Sequence, residues 1–268
     1  MIFNLSMPVL KPKVPTASLT AQSGVSYTNG LNGLEADVIS LFSAAISNNS
    51  AITDTTSTVY IDFGSVHQKV SVGDQVTLSL DGTDYAFDII GFNHDTLTDS
   101  MAYGEETATG KAGMTLQMHD LFATKYSMNG SAGTTGGWKN SSMRSRLEKL
   151  FLGWLPSDLQ SVIKAVNKQT SVGSKRPTIE TVSDKLFLLS EVEIFGSTDL
   201  SFAGEGSQYA WYKAGNTRVK NVKGSAGAWW DRSPSSGNSA YFCCVSGSGN
   251  FYSDKASDSH GVSFGFCV

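Results

Sequence analysis

The sequence predicts an α+β protein in which strands and helices occupy separate stretches of the chain. Apolar and polar residues alternate from Val59 to Ile90, which is typical of strands with one buried face. Apolar residues recur every three or four positions around 31–47 and again between 140 and 166, which is typical of amphipathic helices. The 27 glycines, together with many serines and threonines, favour short strands joined by turns.

The composition is that of a globular chain with an acidic balance. The 268 residues carry a net charge of -4, and 40% of them are hydrophobic, enough for one large domain or for a small and a medium one. The basic stripe of a nucleic-acid binder and the basic runs of a membrane-surface protein are both missing from the sequence. The start, MIFNLSMPVLKPKVP, lacks the basic region of a secretory signal, and no stretch approaches the roughly 18 apolar residues of a membrane span. We therefore expect neither nucleic-acid binding nor membrane insertion.

The N-terminal part predicts an arm followed by one helix. Residues 1–30 hold three of the six prolines, and we expect an extended arm that needs a partner surface for its order. The apolar spacing then predicts a helix over 31–47. Its apolar positions are Leu31, Leu34, Val38, Leu41 and Ala45, with Phe42 and Ile46 beside them. The helix packs either on its own domain or in a short bundle between subunits, because a helix of this length is marginal alone.

A meander of strands and then two helices follow. Asp81-Gly82 separates two alternating stretches and predicts a tight hairpin. Asn140 or Ser141 is the expected N-cap of the first helix, and Pro156 suits the start of the second. The apolar positions are Met143, Leu147, Leu150 and Phe151 in the first helix, and Leu159, Val162, Ile163 and Val166 in the second.

Two buried strands are predicted in the C-terminal half. The segment DKLFLLSEVEIFG predicts a strand that ends in a turn at Gly196. Turns then dominate until the last residues, where Val262, Phe264 and Phe266 alternate with small residues and predict a central strand.

The sequence predicts no catalytic, metal or cofactor site. The four histidines lack the spacing of a zinc site. His94, Asp95 and Asp99 are neighbours, but we expect a solvated loop there, because loops are rich in Asp and Asn. The three cysteines are expected to be buried free thiols, and adjacent Cys243 and Cys244 would point to opposite faces of a strand.

Seven segments carry a family resemblance through their order along the chain. They are MHDLFATKYSMN, GGWKNSSMRSRL, LPSDLQSVIKAVNK, DKLFLLSEVEIFG, GEGSQYAWY, WWDRSP and GVSFGFCV. Together, over residues 66–268, they resemble gut-bacterial and phage domains that look like C-type-lectin-fold proteins. Many of those domains are similar to the variable proteins of diversity-generating retroelements, and formylglycine-generating enzymes are distant relatives by fold. The resemblance implies a C-type-lectin-like domain of antiparallel sheets and two helices over 58–268, preceded by an arm and helix over 1–57 that serve in oligomerisation or attachment.

The resemblance also implies a variable region over about 229–268. In such proteins a reverse transcriptase misreads template adenines, so that Asn codons come to encode many residues but never Glu, Gln, Lys, Met or Trp. Those five types occupy 41 positions of residues 1–230 but only one of residues 231–268, Lys255. At the earlier rate about seven would be expected there, so the tail is depleted in them. Turn-rich loops also disfavour several of these types, which leaves a compositional explanation open.

Ligand contacts are expected within this region. The expected exposed contacts are Tyr241, Cys244, Ser246, Asn250, Tyr252, Ser253, Asp258 and His260, with Ser236 and Asn238 as further candidates. The expected scaffold residues are Trp229, Trp230, Arg232, Phe264 and Phe266.

The function implied by the resemblance is receptor binding by a non-enzymatic display protein, of the phage tail-tip or adhesin kind. The expected partner is a bacterial cell-surface protein or glycan, and the expected assembly is a homotrimer. The expected location is the virion, or the bacterial cytoplasm before assembly. Two alternatives stay open at this point: an oxidase of the formylglycine-generating type and a structural virion protein without diversification.

Overall fold

A computed structural model describes residues 15–268, and it has the predicted α+β composition with mostly antiparallel sheets. The strands are β1 (Thr16–Ser18), β2 (Thr28–Asn29), β3 (Thr58–Phe63), β4 (Val66–Ser71), β5 (Gln75–Leu80), β6 (Thr83–Phe92), β7 (Met114–Met118), β8 (Val166–Ser171), β9 (Ile179–Asp184), β10 (Leu186–Phe187), β11 (Lys220–Val222), β12 (Ser225–Gly227), β13 (Trp229–Pro234), β14 (Tyr241–Val245), β15 (Phe251–Lys255) and β16 (Gly265–Cys267). The helices are α1 (Ala36–Ser47), α2 (Ser142–Arg146), α3 (Leu152–Trp154), α4 (Ser157–Val162), α5 (Glu191–Phe195) and α6 (Ala210–Lys213), with a π-helical turn at Leu147–Phe151 and a 3-10 turn at Trp138–Asn140. No helix among residues 15–268 is long and apolar enough to cross a membrane.

The central element is a five-stranded antiparallel sheet in the order β10-β16-β7-β6-β5. Its hairpin between β5 and β6 turns at Asp81 and Gly82, both with positive φ, as the dipeptide predicts. The prediction of a central C-terminal strand is also confirmed, because β16 lies between β10 and β7. Phe264 and Phe266 from this end of the chain both pack edge-on against Phe87 of β6.

The N-terminal segment joins the same core rather than forming a separate unit. β1 pairs with β3, and β2 pairs with β4, in a four-stranded sheet that crosses the expected boundary at residue 57. One cluster of buried apolar side chains extends from Leu31 to Val268. The division into 1–57 and 58–268 is therefore wrong for residues 15–57, and the expectation for residues 1–14 of the arm lies outside the described residues.

Helix α1 uses its apolar face inside the molecule. Ile39, Phe42 and Ile46 are buried, whereas Leu41 of the predicted stripe is exposed. The hydroxyl of Ser43 donates to the carbonyl oxygen of Val268, which joins the helix to the end of the central sheet. Of the two possibilities for this helix, the structure shows packing on its own domain, and the helix begins at Ala36 rather than at 31.

The two middle helices are shorter than predicted. Ser141 caps the first one, since its hydroxyl accepts from the N–H of Arg144 at 3.0 Å. The second helix ends at Val162, and Val166 instead begins strand β8. The backbone becomes extended at Ile163, where the N–H of Lys164 pairs with the carbonyl of Cys267 at 2.8 Å. This backbone pairing with Cys267 of β16 therefore ends the helix before the last position that the apolar spacing predicts.

The segment before Gly196 is a helix rather than a strand. After two strand residues, Leu186 and Phe187, the chain enters α5 through a capping box between Ser190 and Glu193. Gly196 ends this helix in the left-handed conformation, with φ of 76°. The S-x-x-E spacing that marks this start is visible in the sequence, but the apolar run before it favoured a longer strand.

Candidate functional site

The surface predicted to contact a ligand lies at the edge of a small antiparallel sheet in the order β13-β14-β15. Strand β15 is its outer strand, and Phe251 and Tyr252 at its start are 47% and 51% exposed. A turn at 246–250 precedes this strand and another at 256–260 follows it. We call residues 246–260 the β15 ridge, because both sides of this strand are partly open to solvent.

The predicted contact residues fall on both sides of the ridge. Tyr241 lies opposite Lys255, and Tyr252 lies opposite Cys244, in the register of β14 with β15. Because successive side chains of a strand point to opposite faces, Ser253 shares the side of Tyr241, whereas Tyr252 is on the other side. The ten predicted residues therefore do not form one flat patch, and they meet only along the strand edge.

The turn at 246–250 holds its own shape with polar side chains. The hydroxyl of Ser246 accepts from the N–H of Asn250 at 3.1 Å and contacts the hydroxyl of Ser248 at 3.0 Å. The side-chain amide of Asn250 in turn donates to Ser248 at 3.2 Å. Ser246 thus serves the turn, while Asn250 is exposed at its outer end.

The turn at 256–260 is anchored through His260. Its Nε2 lies 3.1 Å from Oδ2 of Asp254, and its ring packs edge-on against Trp230 at 4.5 Å. Partial burial opposes ionisation of Asp254, but hydrogen bonds from the N–H of Lys255 and from His260 outweigh it and lower the pKa of this carboxyl group. Asp258 is exposed at the outer end of the same turn. His260 therefore supports the ridge, and its role as a ligand contact stays a prediction.

Two predicted contacts are placed differently from expectation. Cys244 is fully buried between Trp230 of β13 and Tyr252 of β15, so its prediction as an exposed contact is wrong. Ser236 is half-buried, and both its N–H and its hydroxyl donate to the carbonyl of Leu200, at 2.8 and 2.9 Å. Asn238 is exposed, and its side-chain oxygen accepts from the N–H of Ala240.

Sequence reasoning missed Phe251 as an exposed residue. Its ring packs at 5.9 Å against Phe195 at the end of α5, which in turn lies under the guanidinium group of Arg218. The missed signal was the pair of adjacent aromatic residues in a short polar stretch, since one of two neighbours on an edge strand faces each side.

Strand β13 is the buried base of this surface. All of its residues, including Trp229 and Trp230, are buried, as expected for scaffold residues. The indole N–H of Trp229 donates to the carbonyl of Arg218 at 3.1 Å, and that of Trp230 donates to the carbonyl of Tyr126 at 2.8 Å. Both rings are thus fixed in position as well as buried.

Arg232 joins the base to α5, to β8 and to two connecting segments. Its two terminal nitrogens donate to the carboxylate of Glu193 in α5 at 2.5 and 2.8 Å. The same guanidinium donates to the carbonyl oxygens of Leu188, Gln169 and Glu205. Although burial opposes its charge, the Glu193 carboxylate raises the pKa of Arg232 above its ordinary value. The ion pair therefore remains charged in the core.

A buried lysine completes this network. The ammonium group of Lys168 lies 2.7 Å from Oδ1 of Asp95 and 2.7 Å from Oε1 of Glu193. The hydroxyl of Tyr209 also contacts Asp95, at 2.9 Å. Burial opposes ionisation of Asp95, but Lys168 outweighs it and lowers the pKa of this carboxyl group. Asp95 is thus a core residue, and the prediction of a solvated loop there is wrong.

His94, Asp95 and Glu193 have the geometry of a possible metal centre. One ligand atom from each lies within 4.8 Å of the others. The two carboxylates, however, already neutralise Lys168 and Arg232, so a cation there would have to displace the ammonium group. Burial also lowers the pKa of His94, whose ring stacks on Tyr209 at 3.9 Å. Asp95 and Glu193 are therefore described as members of an ion-pair network with Lys168 and Arg232.

Three further carboxyl groups are buried beside this network, at Glu191, Glu205 and Asp231. One oxygen of Asp231 accepts from the N–H of Ser233 at 2.8 Å, and the other has no hydrogen-bond partner. Burial, together with the negative charge of Glu191, raises the pKa of Asp231 well above its ordinary value. Burial likewise raises the pKa of Glu205. Burial therefore disfavours the charged form of all three carboxyl groups.

The cysteines are all free and buried. Burial raises the pKa of Cys243, Cys244 and Cys267 above that of an exposed thiol. Reactive cysteines need an accessible thiolate, so these three are unsuited to the thiol chemistry of the oxidase alternative.

Comparison with known proteins identifies a family for most of the region described above. Residues 112–268 match the family described as "Domain of unknown function (DUF6273)". The chain belongs to this family. The DUF6273 match contains the β15 ridge, the β13 base and Lys168, Glu193 and Arg232 of the ion-pair network, whereas Asp95 and the four-stranded N-terminal sheet precede it. Neither a curated protein nor a solved structure matches the chain.

Proposed function

We propose that this protein binds a ligand on a cell surface through the β15 ridge. The observation that carries this proposal is the adjacent pair Phe251 and Tyr252, both about half-exposed on a strand edge. Aromatic side chains dominate the energy of protein interfaces, and an exposed edge strand with apolar residues is a ready template for pairing with another chain. Below them, β13 is fully buried and holds the edge in place.

The chemistry around the aromatic pair also supports binding. Tyr241 of β14, together with Asn250 and Asp258 of the flanking turns, adds exposed or half-exposed polar groups to this edge of the sheet. Rigid aromatic rings combined with small polar residues are the composition of antibody paratopes, where the rings supply contact area and the polar groups supply adaptable hydrogen bonds. Because these side chains are outside the core, they can change with little cost to stability.

The finer assignment is a C-type-lectin-like display protein of a diversity-generating retroelement, acting at a phage tail tip. The motif pair WWDRSP and GVSFGFCV supports it, since both segments are buried and Gly261 pairs with Trp229 of β13. Depletion of Glu, Gln, Lys, Met and Trp after residue 230 supports diversification. The proposed partner is a bacterial cell-surface protein or glycan, bound by several copies in a homotrimer, so that weak sites act together.

A ridge variant tests the binding function. We expect the combined change Tyr241→Ala, Asn250→Ala, Tyr252→Ala and Asp258→Ala to abolish binding to candidate host cells while the protein remains folded. The matched control changes two exposed apolar residues elsewhere, Met101→Ala and Leu150→Ala, and we expect it to retain binding. Equal binding by both variants, with equal thermal melts, would contradict the proposal.

Neighbouring DNA tests the diversification. We expect a reverse transcriptase gene and a near-copy of the segment that encodes about 229–268, with mismatches at template adenines. A locus that has neither a reverse transcriptase gene nor a near-copy of the segment would contradict diversification but not ligand binding. Light scattering of the full chain tests the assembly, and a monomer would contradict the trimer.

A further inference from the structure

Arg218 is a half-buried cation without a charged partner. Its Nε donates to the carbonyl of Ile194 at 3.3 Å, and its guanidinium group lies 5.0 Å from the ring centroid of Phe195 and 5.9 Å from that of Tyr212. Among residues 15–268, its two terminal nitrogens form neither a hydrogen bond nor a salt bridge. The contacts with the backbone and the two rings fix the group in place and leave these two nitrogens open to a ligand.

This cation lies at the end of the β15 ridge where strand β15 begins. A Cβ built on Gly249 would lie 3.7 Å from Cβ of Arg218, so the turn at 246–250 packs against this residue. The ring of Phe195, which the guanidinium group covers, packs against the exposed ring of Phe251 at 5.9 Å. Asp258 is exposed on the turn at the other end of the ridge. The ridge therefore combines its exposed aromatic pair with a cation at one end only.

The outer edge of β15 offers backbone groups that no strand uses. The N–H of Ala256 donates to the carbonyl of Ala240 at 2.9 Å, which continues the ladder between β14 and β15. Because hydrogen-bonded and non-hydrogen-bonded pairs alternate along antiparallel strands, the even-numbered residues of β15 bond to β14. The N–H and C=O groups of Phe251 and Ser253 therefore point away from β14, and among residues 15–268 no further strand of this sheet covers them.

The edge and the cation each select one property of a ligand. An edge strand with free N–H and C=O groups binds an extended peptide, which adds a strand to the sheet. A guanidinium group binds a carboxylate through two parallel hydrogen bonds, and these bonds are stronger than those between neutral groups. A neutral ligand that covers Arg218 would remove water from its charge and supply no counter-charge. The ligand that satisfies both features is an extended peptide with an acidic side chain.

We propose that the β15 ridge binds an extended segment of a partner protein as an added strand, with Arg218 pairing an Asp or Glu side chain of that segment. The inference rests on the binding function proposed above and selects a protein over a glycan as the partner. Phe251 and Tyr252 point to opposite faces of the edge and pack against alternate side chains of the added strand. Arg218 precedes the proposed variable region, and backbone groups do not depend on residue type. Both elements therefore stay constant when the side chains of the ridge change.

The first experiment tests the carboxylate. A short peptide of alternating Thr and Val with one central Glu, capped at both ends, and its Gln analogue are titrated into the ¹⁵N-labelled full chain. We expect saturable backbone amide shifts at 249–255, and about tenfold weaker binding of the Gln analogue. Arg218→Gln should bind both peptides equally. The matched control Lys213→Gln removes an exposed cation of α6 and should keep the preference for the Glu peptide.

The second experiment tests the added strand. Ser253→Pro removes an outward N–H, and proline is tolerated on an edge strand whose N–H faces solvent. Ser253→Ala loses the same hydroxyl but keeps the N–H, so it should bind the Glu peptide about tenfold more tightly than Ser253→Pro does. If Ser253→Pro does not fold, Phe251→Pro and Phe251→Ala replace this pair, since the N–H of Phe251 also points outward.

Several results would overturn the proposal. They are the absence of shifts with both peptides, equal affinity of the unchanged protein for the Glu and Gln peptides, and equal binding by the Pro and Ala variants. Self-association of the unchanged protein that Ser253→Pro abolishes would assign the edge to a second copy of the chain.

Host cells separate this proposal from the function on which it rests. We expect Arg218→Gln to bind candidate host cells about tenfold more weakly, and protease treatment of the cells to abolish binding of the unchanged protein. If Arg218→Gln binds cells undiminished while the ridge variant does not, the acidic peptide is wrong and the ridge remains the binding site. Binding that survives protease treatment but not removal of glycans would assign the ridge to a glycan. Undiminished cell binding by the ridge variant would overturn the proposed function itself.

Discussion

Strands β13 and β15 belong to the same three-stranded sheet, and each carries two adjacent aromatic residues, but their environments are opposite. Trp229 and Trp230 are fully buried, whereas Phe251 and Tyr252 are about half-exposed. Strand β13 is flanked by β14 on one side and by Gly261 on the other, while β15 is the outer strand. The position of a strand in the sheet, rather than its aromatic content, therefore separates the scaffold from the surface.

The largest effect is expected from Arg232→Ala. It removes the partner of Glu193 and leaves buried carbonyl oxygens without donors, so the free energy of unfolding should fall by about 5 kcal/mol. Urea denaturation measures it. The control Arg218→Ala removes a half-buried guanidinium that has no carboxylate partner within salt-bridge distance among residues 15–268, and it should cost about 1 kcal/mol. Equal losses of unfolding free energy in the two variants would show that the ion pair of Arg232 with Glu193 does not hold strand β13 in place.

Trp230→Ala should cost about 3–5 kcal/mol, because it leaves a cavity in the core and removes the packing partner of His260. Thermal melts under matched conditions measure the loss. A cost below about 1 kcal/mol would mean that β13 is no more of a scaffold than β15.

Asp231→Asn should stabilise the protein by about 1–3 kcal/mol at neutral pH, since Asp231 must either take up a proton or bury its charge on folding, whereas Asn does neither and keeps the acceptor for Ser233. Asp231 has a raised pKa in the folded state, so its stabilising contribution is complete below its ordinary pKa of 3.8 and is lost as the pH rises.

The advantage of Asp231→Asn should therefore be large at neutral pH and nearly absent near pH 4. Urea denaturation at the two pH values checks it, with Asp258→Asn on the exposed turn as the control. An advantage that does not change with pH would mean that Asp231 is not the titrating group.

The smallest effect is expected on the ridge. Tyr252→Ala should change the free energy of unfolding by about 0.5 kcal/mol or less, because the side chain is 51% exposed. Thermal melts beside Trp230→Ala make the comparison within one sheet. A loss similar to that of Trp230→Ala would place the ridge in the core and remove the basis of the binding proposal.

Much of this comparison could be predicted from local patterns. The buried positions of Trp229, Trp230 and Arg232 were expected from their motif, and Asn250, Tyr252 and Asp258 were expected to be exposed. Cys244 was expected to be exposed and is buried. Cys244 lies in the apolar run YFCCV, which agrees with the expectation of buried thiols, and strands β13 and β15 cover it on both sides. The expected exposure came only from its place in the proposed variable region.

The buried charged network could not be predicted from the sequence either, because it too depends on contacts between distant parts of the chain. Asp95, Lys168, Glu193 and Arg232 are far apart along the chain, and each is a residue type that is usually exposed. Their burial depends on their meeting one another, because an unpaired charge would be too costly in the core.

Local patterns in the sequence sufficed to predict the α+β class, the Asp81-Gly82 hairpin, a helix cap at Asn140 or Ser141 and the central place of the last strand. Each of these follows from spacing or from the backbone preference of one or two residues. Only the tertiary structure decided that α1 packs into its own core, that Asp95 is paired with Lys168, and which aromatic pair is exposed. Burial is a property of neighbours, and those neighbours come from distant parts of the chain whose contacts local patterns do not encode.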